Sequence, residues 1–238
     1  MPQSRFSGPF GDIELRVHRA AGSGDRALVF FHDASTQSFP DSSALCDVIA
    51  HEAECAVLAV DSERLSAPRF PGSVDEAYFI ACHLHEHADD LGADHRKLAI
   101  GGEGFGATLA TAASRLAKER RNPSLAWQWL LHPVLDLRDP PAGLASFAQR
   151  YAPSEAERAD PRASPLAARN LIGLASAIVI ARDASPEREQ AQAYVLALQK
   201  AYVQARLVLG EPEQAPGGTS APREGLLALR EVLGNITV

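Results

Sequence analysis

The sequence has little of what marks an exported or membrane-bound chain. Its 238 residues include only three cysteines, Cys46, Cys55 and Cys82, and this small odd number argues for reduced thiols in a core rather than a disulfide framework. The first residues contain no apolar segment typical of a signal peptide, and no apolar run approaches the length of a membrane span. We therefore expect a cytoplasmic protein without a membrane span.

The chain also lacks a cluster of basic residues. Thirty acidic residues against 23 basic ones give a formal net charge of −7, which argues against nucleic acid as a partner. No internal repeat and no low-complexity stretch divides the chain, and 46% hydrophobic residues are enough to build one core. We expect a single domain over residues 1–238, with a short N-terminal strand segment at 1–24 and the core from about residue 25 onwards.

Short apolar runs alternate with helical patterns along the chain. The runs ALVFF, AVLAV, LAI and AIVIA are flanked by turn-forming residues, which is typical of buried parallel strands. The pattern predicts strands at 12–18, 27–32, 55–60, 97–101, 126–132, 176–181 and 204–209. It predicts helices at 42–53, 73–91, 105–119, 186–202 and 221–234. This alternation favours an α/β protein with a doubly wound, mostly parallel sheet flanked by helices.

A glycine turn joins a predicted strand to a predicted helix within residues 99–110, AIGGEGFGATLA. Residues 102–106 have the frame of a nucleophile elbow, G-x-S-x-G, whose central residue lifts its side chain to the top of an α/β-hydrolase sheet. Gly104 stands at that central position and has no side chain to lift. The frame predicts the turn, and the glycine argues against a serine nucleophile.

Several further motifs occur in the order and spacing of the hormone-sensitive-lipase-like esterases, which the chain resembles over about residues 25 to 210. Residues 27–35 (ALVFFHDAS) are similar to the family's strand and His-Gly-Gly-Gly loop, and residues 130–137 (LLHPVLDL) to its Tyr-Pro-Val-x-Asp strand. Residues 160–166 and 178–194 complete the likeness. The resemblance implies an α/β-hydrolase fold with reduced cap regions, the second cap being shortened to 138–159.

The resemblance also implies that the family's catalytic triad is absent. The catalytic serine falls on Gly104, and the acidic member falls on Ser185, just before Pro186. The family's histidine follows the last strand, whereas the last histidine of this chain is His132. The order of the triad is nucleophile, acid, histidine, so no histidine stands at the required place.

The loop that builds the family's oxyanion hole is altered as well. His32 is retained, but Asp33, Ala34 and Ser35 stand where the family has three glycines. A carboxylate at Asp33 would repel the negative charge that such a site stabilises.

Three functions therefore stay open. The departures favour a catalytically inactive esterase homologue that acts as a binding, scaffold or regulatory protein for a small-molecule ligand or a protein partner. The alternatives are a redirected enzyme for cyclisation, elimination or isomerisation without a covalent intermediate, and a residual carboxylic-ester hydrolase. The residues predicted to line the pocket are His32, Asp33, Ala34, Ser35, Glu103, Gly104, Phe105 and Ser185.

Two histidines have the spacing of a zinc pair, since His83 and His87 lie four residues apart on a predicted helix. No third ligand is evident, and the family often carries His-Glu-His in the matching surface helix. We therefore expect neither a metal nor another cofactor. The resemblance also implies that two copies of the chain pair through the last strand, residues 204–209.

Overall fold

Eight strands form one sheet in the part of the chain that the computed structural model describes, residues 3–33, 42–60, 69–210 and 221–236. Their order across the sheet is β1-β2-β4-β3-β5-β6-β7-β8, with β2 antiparallel to both neighbours and β3 to β8 parallel. The predicted mostly parallel sheet is confirmed. The strands are β1 Gln3–Gly8, β2 Gly11–His18, β3 Ala27–Phe31, β4 Ala56–Val60, β5 Leu98–Glu103, β6 Trp127–Leu131, β7 Ser176–Ala181 and β8 Ala205–Leu209.

Helices cover both faces of this sheet. They are α1 Ser42–Glu52, α2 Gly72–Glu86, α3 Phe105–Arg120, α4 Ala145–Tyr151, α5 Glu155–Arg158, α6 Arg188–Lys200 and α7 Arg223–Gly234. The apolar side chains of α2, α3, α4 and α6 pack on one face, and those of α1 and α7 on the other. Because both faces are covered, β3 and β4 are buried at every residue, which explains why they read as unbroken apolar runs.

The strand register brings several strand ends to one edge of the sheet. Phe31 of β3 pairs with Gly102 of β5, Glu103 pairs with Leu131 of β6, and Leu131 pairs with Ile180 of β7. The residues that follow these strands therefore meet at the carboxyl edge, where open α/β sheets bind their ligands.

The structure departs from the predicted elements in three places, one of which is residues 145–158, where α4 and α5 stand without a predicted helix. Residues 3–8 form an edge strand that pairs with β2, although their polar sequence QSRFSG gave no strand signal. The helix predicted over 73–91 ends at Glu86, and the chain turns through a short 3-10 segment, Asp89–Leu91, to Gly92 at φ 66°. The backbone leaves α-helical geometry at His87, with φ −110° and ψ 21°, and the left-handed Gly92 then ends the 3-10 segment.

The predicted reduced cap, 138–159, contains the two short helices α4 and α5. In the described ranges, no helix has both the length and the apolar character that crossing a bilayer requires. Residues 204–209, through which two copies are predicted to pair, coincide with β8 at the edge of the sheet. That pairing and the cytoplasmic location stay predictions.

Candidate functional site

The turn between β5 and α3 has the geometry of an elbow. Gly104 caps α3 with φ 54° and ψ −119°, a backbone conformation that glycine adopts freely and other residues rarely. Its N–H donates to the carbonyl of Leu131 at 2.9 Å, and its own carbonyl accepts from the N–H of Val134 at 3.2 Å. The chain leaving β6 thus fixes the turn from both sides, and residue 104 is held at the carboxyl edge of the sheet.

The carboxylate of Asp33 fills the space that a side chain at Gly104 would need. A Cβ placed on Gly104 would lie 2.5 Å from Asp33 Cγ and 2.6 and 2.9 Å from its two oxygens. The backbone N–H of Phe105 donates to Asp33 Oδ1 at 3.2 Å. A residue in the loop after β3 therefore supplies a functional group at the position where a side chain on residue 104 would lie.

Glu103 contributes a second carboxyl beside the elbow. Burial raises its pKa to about 7, the negative charge of Asp33 adds to the rise, and the positive charge of Arg182 opposes it. A carboxyl with this pKa gains and loses its proton near neutral pH, which is the property that general acid or base catalysis needs. Two carboxyls, one at the end of β5 and one in the loop after β3, therefore interact electrostatically at the same edge.

His32 and Phe105 flank this carboxyl pair in different ways. The half-buried ring of His32 lies 3.7 Å from the Cys46 sulfur, measured from Nε2, and meets the ring of Phe30 edge-on. Burial raises the pKa of the Cys46 thiol above its usual range, so a thiolate is disfavoured there. The ring of Phe105 is fully buried against Phe147 and Tyr151, so this residue presents only its backbone N–H to Asp33.

The remaining predicted pocket residues are not joined to the elbow in the same way. The hydroxyl of Ser185 donates to the carbonyl of Arg182 at 3.2 Å, within its own turn after β7. Arg182 in turn acts on the pKa of Glu103, so this turn faces the carboxyl pair from the far side of β6. Ala34 and Ser35 lie outside the described residues.

His132 is a residue at this edge that the sequence prediction missed. It follows β6 directly, its side chain is buried, and its backbone has φ 47°, which is unusual for a residue other than glycine. Its N–H donates to the carbonyl of Ile180 at 2.8 Å. Non-glycine residues held in this conformation cluster at functional sites, and only the position after a strand end gave a sequence signal.

His83 near the end of α2 and His87 just after it form an aromatic stack rather than a ligand set. The rings of His83 and His87 are stacked with centroids 4.2 Å apart, and Phe6 stacks on the other side of His83 at 4.0 Å. Among the residues that the structure describes, no group of three or more His, Cys, Asp or Glu side chains is placed to hold a metal ion.

The replacement Gly104→Ser is expected to lower the free energy of unfolding by about 1 to 3 kcal/mol because of its positive φ. The contact with the Asp33 carboxylate adds to that cost. We expect no gain in ester hydrolysis, since the serine side chain needs the space that the Asp33 carboxylate fills and would displace it from the elbow. Urea denaturation and an ester assay measure both effects.

Gly143→Ser is the matched control, because Gly143 has φ 89° but no atom within 4 Å of a Cβ placed on it. Its loss of stability measures the cost of the positive φ alone, without the contact with Asp33. A Gly104→Ser variant no less stable than Gly143→Ser would show that the two side chains do not compete for one space.

Two hydrolases are similar in sequence to this chain over most of its length. One is the carboxylic ester hydrolase LipN of Mycobacterium tuberculosis, 30% identical over 217 residues that cover 82% of this chain and 58% of the relative. Another is the ethyl acetate hydrolase of Pseudomonas putida, 31% identical over 200 residues that cover 77% and 63%. The chain thus spans about three fifths of the length of these relatives.

Solved structures of esterases have the same fold. Carboxyl esterase 2 of the fungus Tuber melanosporum superposes with a TM-score of 0.83 at 22% identity, covering 99% of this chain and 88% of that one. The hyperthermophilic esterase of the archaeon Pyrobaculum calidifontis superposes with a TM-score of 0.81 at 25% identity, covering 99% and 84%. The α/β-hydrolase fold predicted from the resemblance is confirmed.

The prediction of a catalytically inactive protein is wrong on these findings. It rested on the replaced positions alone, whereas the similar sequences and structures are named as hydrolases and esterases. Physically, a glycine at residue 104 does not exclude chemistry at the elbow, because Asp33 and Glu103 place two carboxyl groups there. Ester hydrolysis fits the relatives better than a binding protein or a redirected enzyme.

A sequence profile described as the alpha/beta hydrolase fold matches residues 28–213, from β3 to beyond β8. The matched region contains the elbow and both carboxyls beside it. The chain belongs to the alpha/beta hydrolase family.

Proposed function

We propose that this chain hydrolyses carboxylic esters at the elbow, with Asp33 as the general base for a water molecule and Glu103 as the general acid. The observation that carries the proposal is the carboxylate of Asp33 at the place of a nucleophile on residue 104. The names of the relatives support the choice of reaction, since a carboxylic ester hydrolase and an ethyl acetate hydrolase are among them. The triad of the family is replaced in this scheme by two carboxyls.

The reaction needs one proton removed and one delivered. The Phe105 N–H holds the Asp33 carboxylate at the elbow, and this carboxylate takes a proton from water as the water oxygen attacks the ester carbonyl carbon. When the tetrahedral intermediate collapses, the bond to the alcohol oxygen breaks and Glu103 gives its proton to that oxygen. The products are the acid and the alcohol, and the proton on Asp33 restores Glu103 through solvent.

The same geometry implies slow turnover and small substrates. The Phe105 N–H is held by Asp33, so a developing oxyanion has one donor fewer, a loss typically worth about 10²- to 10³-fold in rate. On the side of the elbow that faces α4, the buried rings of Phe105, Phe147 and Tyr151 fill the space. We therefore propose short acyl groups such as acetyl.

The pH profile tests the role of Glu103. Because its pKa lies at about 7, the protonated acid is lost as pH rises through that value. We expect the enzymatic rate on ethyl acetate, corrected for the buffer blank, to fall by about tenfold per pH unit well above the pKa. Ethoxide is a poor leaving group and needs the proton, whereas p-nitrophenolate departs without one. The fall is therefore expected to be much weaker with p-nitrophenyl acetate.

Glu103→Gln is expected to abolish the fall in rate above pH 7. It should also slow the hydrolysis of ethyl acetate more than that of p-nitrophenyl acetate. Glu14→Gln, an exposed acid on β2, is the matched control and should leave both rates unchanged. A rate that rises through pH 7 and loses this rise in Glu103→Gln would make Glu103 the base and contradict the assignment. No hydrolysis of either ester by the parent chain would overturn the proposed function.

A further inference from the structure

A second site lies on the face of the sheet that carries α3, away from the elbow. A cavity of about 540 Å³ is lined by Arg115, Arg138, Arg169 and Asn170, together with small residues of the segment 159–167. Arg115 lies ten residues after the start of α3, or about 15 Å along the helix axis. In the described part of the chain, no acidic side chain lines this cavity.

Arg115 lines the cavity and its side chain carries an unsatisfied donor. Its Nε donates to Glu119 Oε1 at 2.8 Å, one turn further along α3. Its Nη1 is buried and has no hydrogen-bond partner among the described residues. A buried guanidinium nitrogen without a partner is costly, so a movement of the Arg115 side chain that brings Nη1 to a ligand oxygen in the cavity would be favoured.

The other polar side chains of the cavity also keep donors free. Asp136 accepts from Nε and Nη2 of Arg138 at 2.8 and 2.5 Å, which leaves the Nη1 group of that guanidinium. Arg169 is exposed and forms no ion pair with any residue in the described ranges. Asn170 Oδ1 accepts from the N–H of Ile172 at 3.0 Å, so its NH₂ group is available to donate.

The balance of charge favours an anion. Glu119 and Asp136 offset two of the three arginines, and the nearby Asp160 is paired with Arg162 at 2.8 Å. Arg169 therefore leaves a local positive charge in a chain whose net charge is −7. Three planar guanidinium groups from three segments suit the three terminal oxygens of a phosphate group, which is dianionic near neutral pH.

The structure assigns to this cavity the binding of a small phosphomonoester through its phosphate group. Its volume lies within the usual range for small-molecule pockets and exceeds what inorganic phosphate alone would fill. The site is independent of the ester chemistry at the elbow, because none of its lining residues takes part in the proposed hydrolysis.

Isothermal titration calorimetry of the full chain at low salt tests this assignment with three probes: glycerol 3-phosphate, inorganic phosphate and acetate. We expect saturable binding of both phosphates, tighter for glycerol 3-phosphate, and weak or no binding of acetate. Arg169→Gln is expected to weaken glycerol 3-phosphate binding by about tenfold or more, since it removes an exposed charged donor. Raising the salt from about 20 to about 200 mM should weaken it as well.

Arg150→Gln is the control for charge, because Arg150 is exposed on α4 and does not line the cavity. It should change binding by less than about twofold, which is below the energy of one charged hydrogen bond. Thermal melts establish that both variants fold, and ester hydrolysis should be unchanged in both. Three results would each overturn the assignment: no saturable heat with either phosphate, acetate binding as tight as phosphate, or equal weakening in Arg169→Gln and Arg150→Gln.

Discussion

Asp33→Asn is expected to lower kcat for p-nitrophenyl acetate by about 100-fold or more, the usual contribution of a general base. The amide oxygen can still accept the hydrogen bond from the Phe105 N–H, so the loop and the elbow keep their geometry. The amide cannot take a proton from water, so the attack on the carbonyl loses its base. Stopped assays at matched protein concentration measure the loss, and thermal melts establish that the variant is folded.

Asp90→Asn is the matched control for Asp33→Asn, since Asp90 is an exposed acid before β5, at the other edge of the sheet. It makes the same change in charge and should leave kcat within about twofold, as a distant surface charge is screened. An Asp33→Asn variant as active as Asp90→Asn would contradict the role of Asp33 as base. A variant with increased activity would contradict that role as well.

Combining Asp33→Asn with Glu103→Gln tests whether the two carboxyls act in the same reaction. If the two carboxyls act in one reaction, the double variant Asp33→Asn with Glu103→Gln should lose less than the product of the two single losses, since groups that act as a unit are not additive. Strictly multiplicative losses on ethyl acetate would instead indicate that the two groups contribute independently to a single transition state, which would contradict the division of roles between attack and collapse.

The parallel strands were predictable because both of their faces are buried. ALVFF and AVLAV read as unbroken apolar runs, and the structure covers them with helices on both sides. Strand β1 was not predictable, because its residues are mostly polar and it lies at the edge of the sheet. It is stabilised by hydrogen bonding to β2 rather than by burial. Pairing of this kind depends on the neighbouring strand and leaves no periodic signal in the sequence.

The elbow was predictable from its glycines, but the position of the Asp33 carboxylate beside Gly104 was not. The frame of residues 102–106 predicts a strand, a tight turn and a helix, and Gly104 has the expected positive φ. The contact with Asp33 joins residues 72 positions apart in the chain, and only the register of β3 against β5 brings them together. For the same reason the sequence suggested repulsion of an oxyanion by Asp33 and not a carboxylate in the place of the nucleophile.

The small residues of the elbow have a second role, which is to let α3 approach β3. A Cβ placed on Gly106 would lie 2.5 Å from the carbonyl oxygen of His32 and closer still to that of Phe31. Both obstacles are backbone atoms at the end of β3, so no side-chain rotation relieves the contact. The first turn of α3 can pack against the end of β3 only with glycine at this position.

Gly106→Ala is therefore expected to lower the free energy of unfolding by about 3 kcal/mol, the upper part of the range for overpacked sites. Gly234→Ala is the matched control, because a Cβ there would have its nearest atom, Arg26 Nη1, at 3.7 Å, and the residue ends α7. Alanine at that helical position should stabilise by a few tenths to about 1 kcal/mol, since it restricts the unfolded chain. Urea denaturation with a common slope measures both changes.

The Gly106→Ala variant should also lose ester hydrolysis beyond the loss of folded protein. Relief of the contact moves the first turn of α3 away from β3, and this separates the Phe105 N–H from Asp33 Oδ1, because the two groups lie on the two displaced elements. A misplacement of about 1 Å can cost about 10²-fold in rate. If Gly106→Ala were as stable as the parent, α3 would not be seated on the end of β3 as described, and the carboxylate of Asp33 would not be held at the elbow.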